Sequence, residues 1–224
     1  LIVIGGDGSF HGCMDLAKRG VKTIGIPGTI DNDMGYTDFT IGFDTAVNNV
    51  TNEIYKIRDT MRAHDRVGVI EVMGRNCGDI ALWAGLAGAA DIVLVPEMDN
   101  SWEMAAKRLE QNKLRGKLTS IVMIAEGAGK AEDFVNFVRE KTDVEIKATV
   151  LGYIQRGGNP TAFDRVLASR FGQRAVELLA EGKQGRAVGI RHNQIYEVAI
   201  ADALQVQDVF DTKLYELNEI MARF

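Results

Sequence analysis

The order of hydrophobic and polar positions predicts an α/β protein. Short apolar runs alternate along the chain with longer segments in which apolar residues recur every three to four positions. Because neighbouring parallel strands need long crossover connections, usually helices, this alternation is typical of parallel sheets. The apolar runs predicted as strands are 1–4, 23–26, 67–72, 92–95, 120–125 and 148–151.

Two of the longer segments have a clear helical period. From about Thr45 to Arg62 the apolar residues form one stripe and charged residues lie opposite. The segment from Phe163 to Glu181 has the same period and stops before Gly182, as expected of a helix C-terminus. No repeat, low-complexity tract or proline-rich linker is found, so composition marks no boundary between lobes.

Composition narrows the class of protein. The 224 residues are 46% hydrophobic and 25% charged, which is typical of a globular protein, and the net charge of -5 argues against a nucleic-acid partner while allowing a small anionic ligand. No apolar run approaches the roughly 20 residues that span a bilayer, so we expect a cytoplasmic protein without a membrane partner. Cys13 and Cys77 lack metal or disulfide spacing and are predicted to be buried.

The chain starts within a strand-like run and without Met, which favours a cut within a domain.

A GGDGS motif at residues 5–9 follows the first predicted strand and leads into a helix. Ligands of open parallel sheets bind beyond the carboxyl ends of the strands, and glycine lets backbone amides approach a phosphate. The carboxylate of Asp7 fits such a loop if Mg²⁺ lies between it and the phosphates. The alternative is a turn that needs glycine only for its backbone angles. The motif differs from GxGxxG and GxxxxGK[ST], which disfavours a hydride-transfer enzyme.

A PGTIDND motif at residues 27–33 follows the second predicted strand. Asp31 and Asp33 are two residues apart, so in extended backbone their side chains would point the same way. One carboxylate can accept the proton of an attacking hydroxyl while the other helps hold a metal ion, as phosphoryl transfer requires. The alternative is an Asx-type turn or a helix cap.

The remaining candidate residues follow later strands. Arg66 and Arg75 flank one predicted strand, and arginine can grip a phosphate or neutralise charge on a transferred phosphoryl group, although a surface arginine is often only solvated. Glu126, at the end of another strand, can accept hydrogen bonds from sugar hydroxyls. Arg156 precedes paired glycines and can reach an anion. Either of the last two could equally belong to a turn.

Together the motifs GGDGS, PGTIDND, EVMGRNCGD and LGYIQRGG resemble the phosphofructokinase family, and the resemblance covers essentially the whole chain. It implies two Rossmann-like lobes with mainly parallel sheets and with the first part of the N-terminal lobe missing. Residues 1–42 plus 155–205 would be the remainder of a large ATP-binding lobe, and 43–154 plus 206–224 a smaller sugar-phosphate lobe. Family members begin with a further segment that carries another glycine loop for ATP, so we expect this chain alone to be inactive.

The resemblance implies phosphoryl transfer from MgATP to the 1-hydroxyl of fructose 6-phosphate, the committed step of glycolysis. Asp31 would be the general base, Thr29 would contact the reacting phosphoryl group, and Arg75 would stabilise the transition state. Asp7 would bind Mg²⁺, with Asp33 assisting. The implied ATP-binding residues are Gly6, Asp7, Gly8 and Ser9. The implied substrate-binding residues are Thr29, Ile30, Asp31, Arg66, Met73, Gly74, Arg75, Glu126, Lys147, Tyr153, Ile154, Gln155 and Arg156.

The resemblance also implies a homotetramer, because in this family the residue matching Arg66 reaches the 6-phosphate bound by a neighbouring subunit. Gly8 and Gly28 favour ATP over pyrophosphate, since the family's pyrophosphate enzymes typically carry Asp and Lys there. An effector site for ADP and phosphoenolpyruvate between subunits is implied at matching positions. Those positions are Arg58, Ala89, Asp91, Arg115 and Lys117.

Some positions depart from the family pattern. Lys147 and Tyr153 stand where an arginine and a histidine are usual, which predicts weaker sugar-phosphate binding. Asp91 replaces a glutamate and Leu118 a frequent lysine, which leaves allosteric regulation open. A lipid or NAD kinase shares the GGDG motif but does not explain PGTIDND. A catalytically silent regulatory subunit is disfavoured because Asp31, Thr29 and Arg75 are all present.

Overall fold

The computed structural model describes residues 1–99 and 101–223. It divides the chain into two compact units, the first made of residues 1–45 and 159–209 and the second of residues 46–158 and 210–224. The boundaries predicted for the two lobes lie three or four residues earlier at each crossing. Residues 100 and 224, which the predicted smaller lobe includes, lie outside the described residues.

Strands and helices alternate through most of the described chain. The strands are β1 (Ile2–Gly5), β2 (Ile24–Pro27), β3 (Val67–Val72), β4 (Ile92–Leu94), β5 (Ile121–Ala125), β6 (Ile146–Val150), β7 (Arg186–Arg191) and β8 (Gln194–Ala199). The helices are α1 (Asp7–Lys18), α2 (Phe43–Ala63), α3 (Asp79–Ala87), α4 (Trp102–Leu114), α5 (Ala131–Lys141), α6 (Ala162–Ala180), α7 (Ile200–Ala203) and α8 (Thr212–Met221). A 3₁₀ helix, Gly152–Arg156, follows β6.

The α/β class and the mainly parallel sheets predicted from the sequence are confirmed. Each of the predicted apolar runs coincides with one of the strands β1 to β6, with ends that differ by up to two residues. The two predicted helices are α2 and α6, and α6 ends before Gly182, whose φ of 77° lies in the left-handed region. The strands β7 and β8 were not predicted.

The first unit contains a four-stranded sheet of order β1-β2-β7-β8, in which only the β7–β8 pair is antiparallel. One face of this sheet packs against α6 through Ile24 and Phe171, which are both fully buried. The other face packs against α1 through Phe10 and Cys13, and burial raises the pKa of the Cys13 thiol. A Cβ at Gly25 would lie 2.8 Å from the Phe10 ring, so glycine in β2 lets α1 approach the sheet.

The second unit contains a fully parallel sheet of order β4-β5-β3-β6. Every residue of β3 and β5 is buried, which explains why both strands read as unbroken apolar runs. Glu71 in β3 is buried like its neighbours but is charged. Its carboxylate accepts a hydrogen bond from the amide of Ala131 at 2.8 Å and lies 3.2 Å from the Lys130 ammonium. Glu71 thereby satisfies an amide at the start of α5, where a negative charge is favourable.

Within the first unit, a buried carboxylate holds the backbone at residues 42–45, where α2 begins. Asp164, which is 2% exposed, accepts hydrogen bonds from the amides of Gly42 and Thr45, both at 2.9 Å. These amides have no helical acceptor of their own, so the side chain on α6 fixes where α2 begins.

Within the described residues, no helix combines the length and the apolar character that crossing a bilayer requires. Cys13 and Cys77 are both buried and unbridged, as predicted.

Candidate active site

The phosphate loop, residues 5–9, joins β1 to α1 in the first unit. Gly6 is the N-cap of α1 and the amide of Phe10 makes the first helical hydrogen bond, to Gly6 O at 3.1 Å. The amides of Gly8 and Ser9 therefore have no acceptor within the helix. Asp7, Gly8 and Ser9 are exposed, and a Cβ at Gly8 would meet no atom within 4 Å. The loop thus offers amides and open space to an anion, with one carboxylate beside them.

Strand pairing brings the phosphate loop next to the aspartate loop, residues 28–33. Gly5 pairs with Pro27 at the carboxyl ends of the parallel strands β1 and β2, and the amide of Gly28 donates to Gly5 O at 3.1 Å. A Cβ at Gly6 would lie 3.5 Å from Thr29 Cβ. The two motifs read from the sequence therefore form one continuous surface of the first unit, as the rule for open parallel sheets predicts.

The aspartate loop is a turn and is not extended. The amide of Asp31 donates to Thr29 Oγ1 at 3.2 Å, and Asn32 has a φ of 56°. The extended backbone in which Asp31 and Asp33 would point the same way is therefore not present, since the left-handed residue between them breaks the alternation. Asp31 is 8% exposed and Asp33 is half-buried.

Thr40 and Asn32 fix the shape of this turn, and neither was singled out in the sequence. Asn32 Oδ1 accepts a hydrogen bond from the amide of Thr40 at 3.0 Å, and Thr40 Oγ1 donates to Thr29 O at 2.6 Å. The Asn32 side chain thus holds the loop in this shape. A local motif could not have revealed this contact, because its partners are eight and eleven residues apart.

In the second unit, the arginine loop (residues 73–78) follows β3 and has an unusual backbone. Gly74 has a φ of 139° and Arg75 a φ of 53°, a region that costs a non-glycine residue roughly 1–2 kcal/mol. Glu126, at the end of the adjacent strand β5, accepts hydrogen bonds on Oε1 from the amides of Gly74 at 3.2 Å and Arg75 at 2.9 Å. A Cβ at Gly127 would lie 2.3 Å from Arg75 O, so the glycine after Glu126 is required by this approach.

The 3₁₀ helix Gly152–Arg156 carries the last motif of the second unit. Tyr153 is 78% exposed, and the guanidinium carbon of Arg156 lies 5.6 Å from the centre of its ring, a cation–π distance. Gln155 is 1% exposed, and its Oε1 accepts a hydrogen bond from the amide of Met73 at 3.0 Å. The structure therefore brings the predicted substrate residues of the arginine loop, Glu126 and the 3₁₀ helix together.

Arg66 and Lys147 are not part of that group within one chain. Arg66 precedes β3, whereas the arginine loop follows it, and the six residues of β3 span about 20 Å. Lys147 pairs in register with Gly68, near the same amino end of β3 as Arg66. Tyr153 follows the other end of β6, so Lys147 and Tyr153, the two departures from the family pattern, lie at different ends of that strand.

Four of the five residues predicted for an effector site form two pairs in the second unit. Arg58 donates to Ala89 O at 2.8 Å. Lys117 Nζ lies 2.5 Å from Asp91 Oδ1, while Asp91 Oδ2 accepts from the amide of Ile121 at 2.7 Å. Arg115, at the end of α4, lies two residues from Lys117 and is exposed.

Asp7 and Asp33 offer only oxygen ligands, the kind that Mg²⁺ prefers. Asp7 lies in the exposed first turn of α1, beside the amides of the phosphate loop. This donor chemistry and position fit a Mg²⁺ ion that is bound together with a phosphorylated ligand.

These features define an α/β protein with glycine- and carboxylate-bearing loops at the carboxyl ends of its parallel strands. The phosphofructokinase family model matches residues 1–179, so the chain belongs to the phosphofructokinase family.

Individual relatives agree with this assignment. The ATP-dependent 6-phosphofructokinase of Clostridium tetani is 56% identical over 222 residues, which are 99% of this chain and 70% of that protein. The phosphofructokinase structure from Saccharomyces cerevisiae superposes with a TM-score of 0.87 at 28% identity, over 97% of this chain and 37% of that one. The pyrophosphate-dependent phosphofructokinase of Marinobacter aquaeolei gives a TM-score of 0.83 at 25% identity, over 95% of this chain and 61% of that one.

Proposed function

We propose that the intact enzyme containing this sequence transfers a phosphoryl group from MgATP to the 1-hydroxyl of fructose 6-phosphate, as an enzyme of glycolysis. The observation that carries this proposal is the joining of the phosphate loop to the aspartate loop, with Gly28 N bonded to Gly5 O at 3.1 Å. A phosphate-binding surface beside a carboxylate in a fixed turn is what transfer to a hydroxyl needs. The family and the named relatives support the choice of sugar substrate.

In this proposal the first unit supplies the groups at the reacting phosphoryl. Asp31 accepts the proton of the sugar hydroxyl, and Thr29 contacts the phosphoryl group. The ATP phosphates lie on the amides of Gly6, Gly8 and Ser9. Mg²⁺, held by Asp7 with Asp33 assisting, would neutralise phosphate charge when bound.

The second unit supplies charge stabilisation and sugar contacts. Arg75 stabilises the negative charge of the transition state, and Glu126 and Arg156 contact the sugar phosphate. Glu126 uses Oε1 for the Gly74 and Arg75 amides, so its other oxygen is the one proposed for a sugar hydroxyl. Arg66 and Lys147 lie together at the other end of β3, which supports the proposal that they act on substrate bound by a neighbouring subunit of a homotetramer.

ATP is the proposed donor because Gly8 and Gly28 stand where the pyrophosphate enzymes of this family typically carry Asp and Lys. A Cβ at Gly8 would meet only open space. A Cβ at Gly28 would lie 2.7 Å from Ile4 Cγ2, so a lysine there would require Ile4 to move. Both glycines therefore favour ATP, which is larger than pyrophosphate, as the donor.

The test is an acceptor and donor survey on the intact enzyme. Fructose 1,6-bisphosphate should form only from fructose 6-phosphate, with ATP preferred over pyrophosphate, and chelation of Mg²⁺ should abolish the reaction. The same preparation is offered NAD and diacylglycerol as acceptors. Phosphorylation of either of these, with none of the sugar phosphate, would replace this proposal with a lipid or NAD kinase.

Replacement of Lys147 by arginine together with Tyr153 by histidine is expected to lower KM for fructose 6-phosphate while kcat changes little. Arginine adds a bidentate donor and histidine a cationic one, and both act on ground-state binding. Because the two positions lie at different ends of β6, each single variant should contribute separately. Steady-state kinetics with varied sugar phosphate measure this, and an unchanged KM in the double variant would refute it.

We also propose an effector site for ADP and phosphoenolpyruvate at Arg58, Ala89, Asp91, Arg115 and Lys117. Four of these residues already bind each other within the chain, since Lys117 forms an ion pair with Asp91 and Arg58 donates a hydrogen bond to Ala89 O. An anionic effector must compete with Asp91 for Lys117, and Leu118 adds no cation, so we expect a weak response. Titration of the sugar saturation curve with each ligand measures it, and identical curves would remove the effector site from the proposal.

A further inference from the structure

The side chain of Gln155 faces inward, while its neighbours in the 3₁₀ helix face outward. Gln155 is 1% exposed, compared with 78% for Tyr153 and 53% for Ile154. Both ends of its amide are used inside the protein. Oε1 accepts a hydrogen bond from the amide of Met73 at 3.0 Å, and Nε2 donates to Gly152 O at 2.9 Å. One side chain therefore ties the 3₁₀ helix to the start of the arginine loop.

The arginine loop depends on side chains for its shape. Three successive amides, those of Met73, Gly74 and Arg75, donate to side-chain oxygens, the first to Gln155 and the other two to Glu126. Arg75 has a left-handed backbone that is unfavourable for arginine, so this conformation persists only while neighbouring groups impose it. By accepting the hydrogen bond of the Met73 amide, Gln155 fixes the residue that precedes the positive-φ residues Gly74 and Arg75.

The other end of the 3₁₀ helix is fixed as well. Asn49 on α2 donates from Nδ2 to Gly157 O at 2.7 Å, directly after Arg156. The backbone on either side of Arg156 is thus held, on one side by the bonded Gln155 side chain and on the other by Asn49. A movement of the Gln155 amide would be passed to the arginine loop and to the 3₁₀ helix together.

We propose that Gln155 is a positioning residue that keeps Arg75 and Arg156 at a fixed position relative to each other. This inference rests on the roles of Arg75 and Arg156 in the proposed function. Gln155 does not need to touch the substrate, because its buried amide is occupied by Met73 and Gly152. It acts by keeping two cationic side chains, which come from different segments, at the spacing that one sugar phosphate requires.

The test is Gln155→Met in the intact enzyme, which keeps the length of the side chain but removes both hydrogen bonds. We expect kcat/KM for fructose 6-phosphate to fall by about 10-fold, because small misplacements of positioned groups are costly. The KM for ATP should not change, since the proposed ATP residues lie in the first unit. Gln155→Glu retains an acceptor for the Met73 amide but loses the donor to Gly152 O, so it should recover only part of the loss.

The control is Gln173→Met, the same change at an exposed position of α6 where Gln173 contacts only Glu177 among the described hydrogen bonds. It should leave all constants at their wild-type values. If Gln155→Met does not fold, Gln155→Asn replaces it, since the shorter amide cannot reach both partners. Assays are run well below the melting temperature of each variant, so that a loss of stability alone does not alter the constants.

A double-variant cycle distinguishes positioning from packing. If Gln155 acts through Arg75, its replacement should cost less in an Arg75→Gly background than in the wild type. Additive effects, or wild-type constants in both Gln155→Met and Gln155→Asn, would overturn the inference. An intact enzyme that does not phosphorylate fructose 6-phosphate at all would instead overturn the proposed function, so the two failures are distinguishable.

Discussion

Replacement of Asp31 by asparagine is expected to lower kcat of the intact enzyme by at least about 10²-fold. The amide has the same shape as the carboxylate but cannot accept a proton from the 1-hydroxyl. Because Asp31 is 8% exposed and its amide is bonded to Thr29 Oγ1, the variant side chain should occupy the same place. KM for both substrates should change little, since the proton is transferred only in the transition state. Steady-state formation of fructose 1,6-bisphosphate measures the effect.

The matched control is Asp15→Asn, on the exposed side of α1. Asp15 makes a surface ion pair with Lys18 at 3.0 Å, and such pairs contribute little. This variant should therefore have wild-type kcat. If Asp31→Asn also kept its turnover, another group would be the base, and the assignment of the aspartate loop would be wrong.

The central strands of the fold could be predicted from sequence because burial on both faces produces unbroken apolar runs. The run 67–72 matches β3 at both ends, and β5 begins only one residue later than predicted. The strand β8 instead mixes polar residues with apolar ones and is half-buried over most of its length. Its turn, His192–Asn193, has positive φ at both residues without a glycine, so the usual hairpin motif is absent.

The candidate site was predictable only in part, for a similar physical reason. The rule that ligands lie beyond parallel strand ends pointed to the phosphate loop and the aspartate loop, and strand pairing does join them. The shapes of the loops depend on contacts between distant residues, such as Glu126 with the Arg75 amide. No local pattern encodes these bonds, because they exist only after the strands have aligned.

The same reasoning applies to predicted substrate-binding residues that lie at opposite ends of β3. Arg66 and Lys147 belong to the same predicted substrate-binding set as the arginine loop, and the strand register puts both at the amino end of β3. Sequence order alone does not give this result, since Lys147 is closer in sequence to Tyr153 than to Arg66. Register between β3 and β6 decides which residues are neighbours.

Replacement of Arg75 by glycine is expected to lower kcat by about 10²–10³-fold, the range found when one group that stabilises transition-state charge is removed. The φ of 53° at Arg75 makes glycine the informative choice, because glycine adopts this conformation without the penalty that arginine or alanine incurs. The variant should therefore unfold at the same temperature as the wild type or higher. A large loss of turnover in a protein of undiminished stability would show that the guanidinium, and not the loop, is what the reaction needs.

Arg75→Lys should lie between the wild type and the glycine variant, since it keeps one positive charge without the bidentate fork. Arg19→Gly is the control, because it removes an exposed cation at the end of α1, where glycine is also tolerated. Its kcat should equal that of the wild type. Measurement requires thermal unfolding and steady-state kinetics on all three variants. If Arg75→Gly retained wild-type kcat, the Arg75 guanidinium would not be the group that stabilises transition-state charge, and another cation would have to supply this stabilisation.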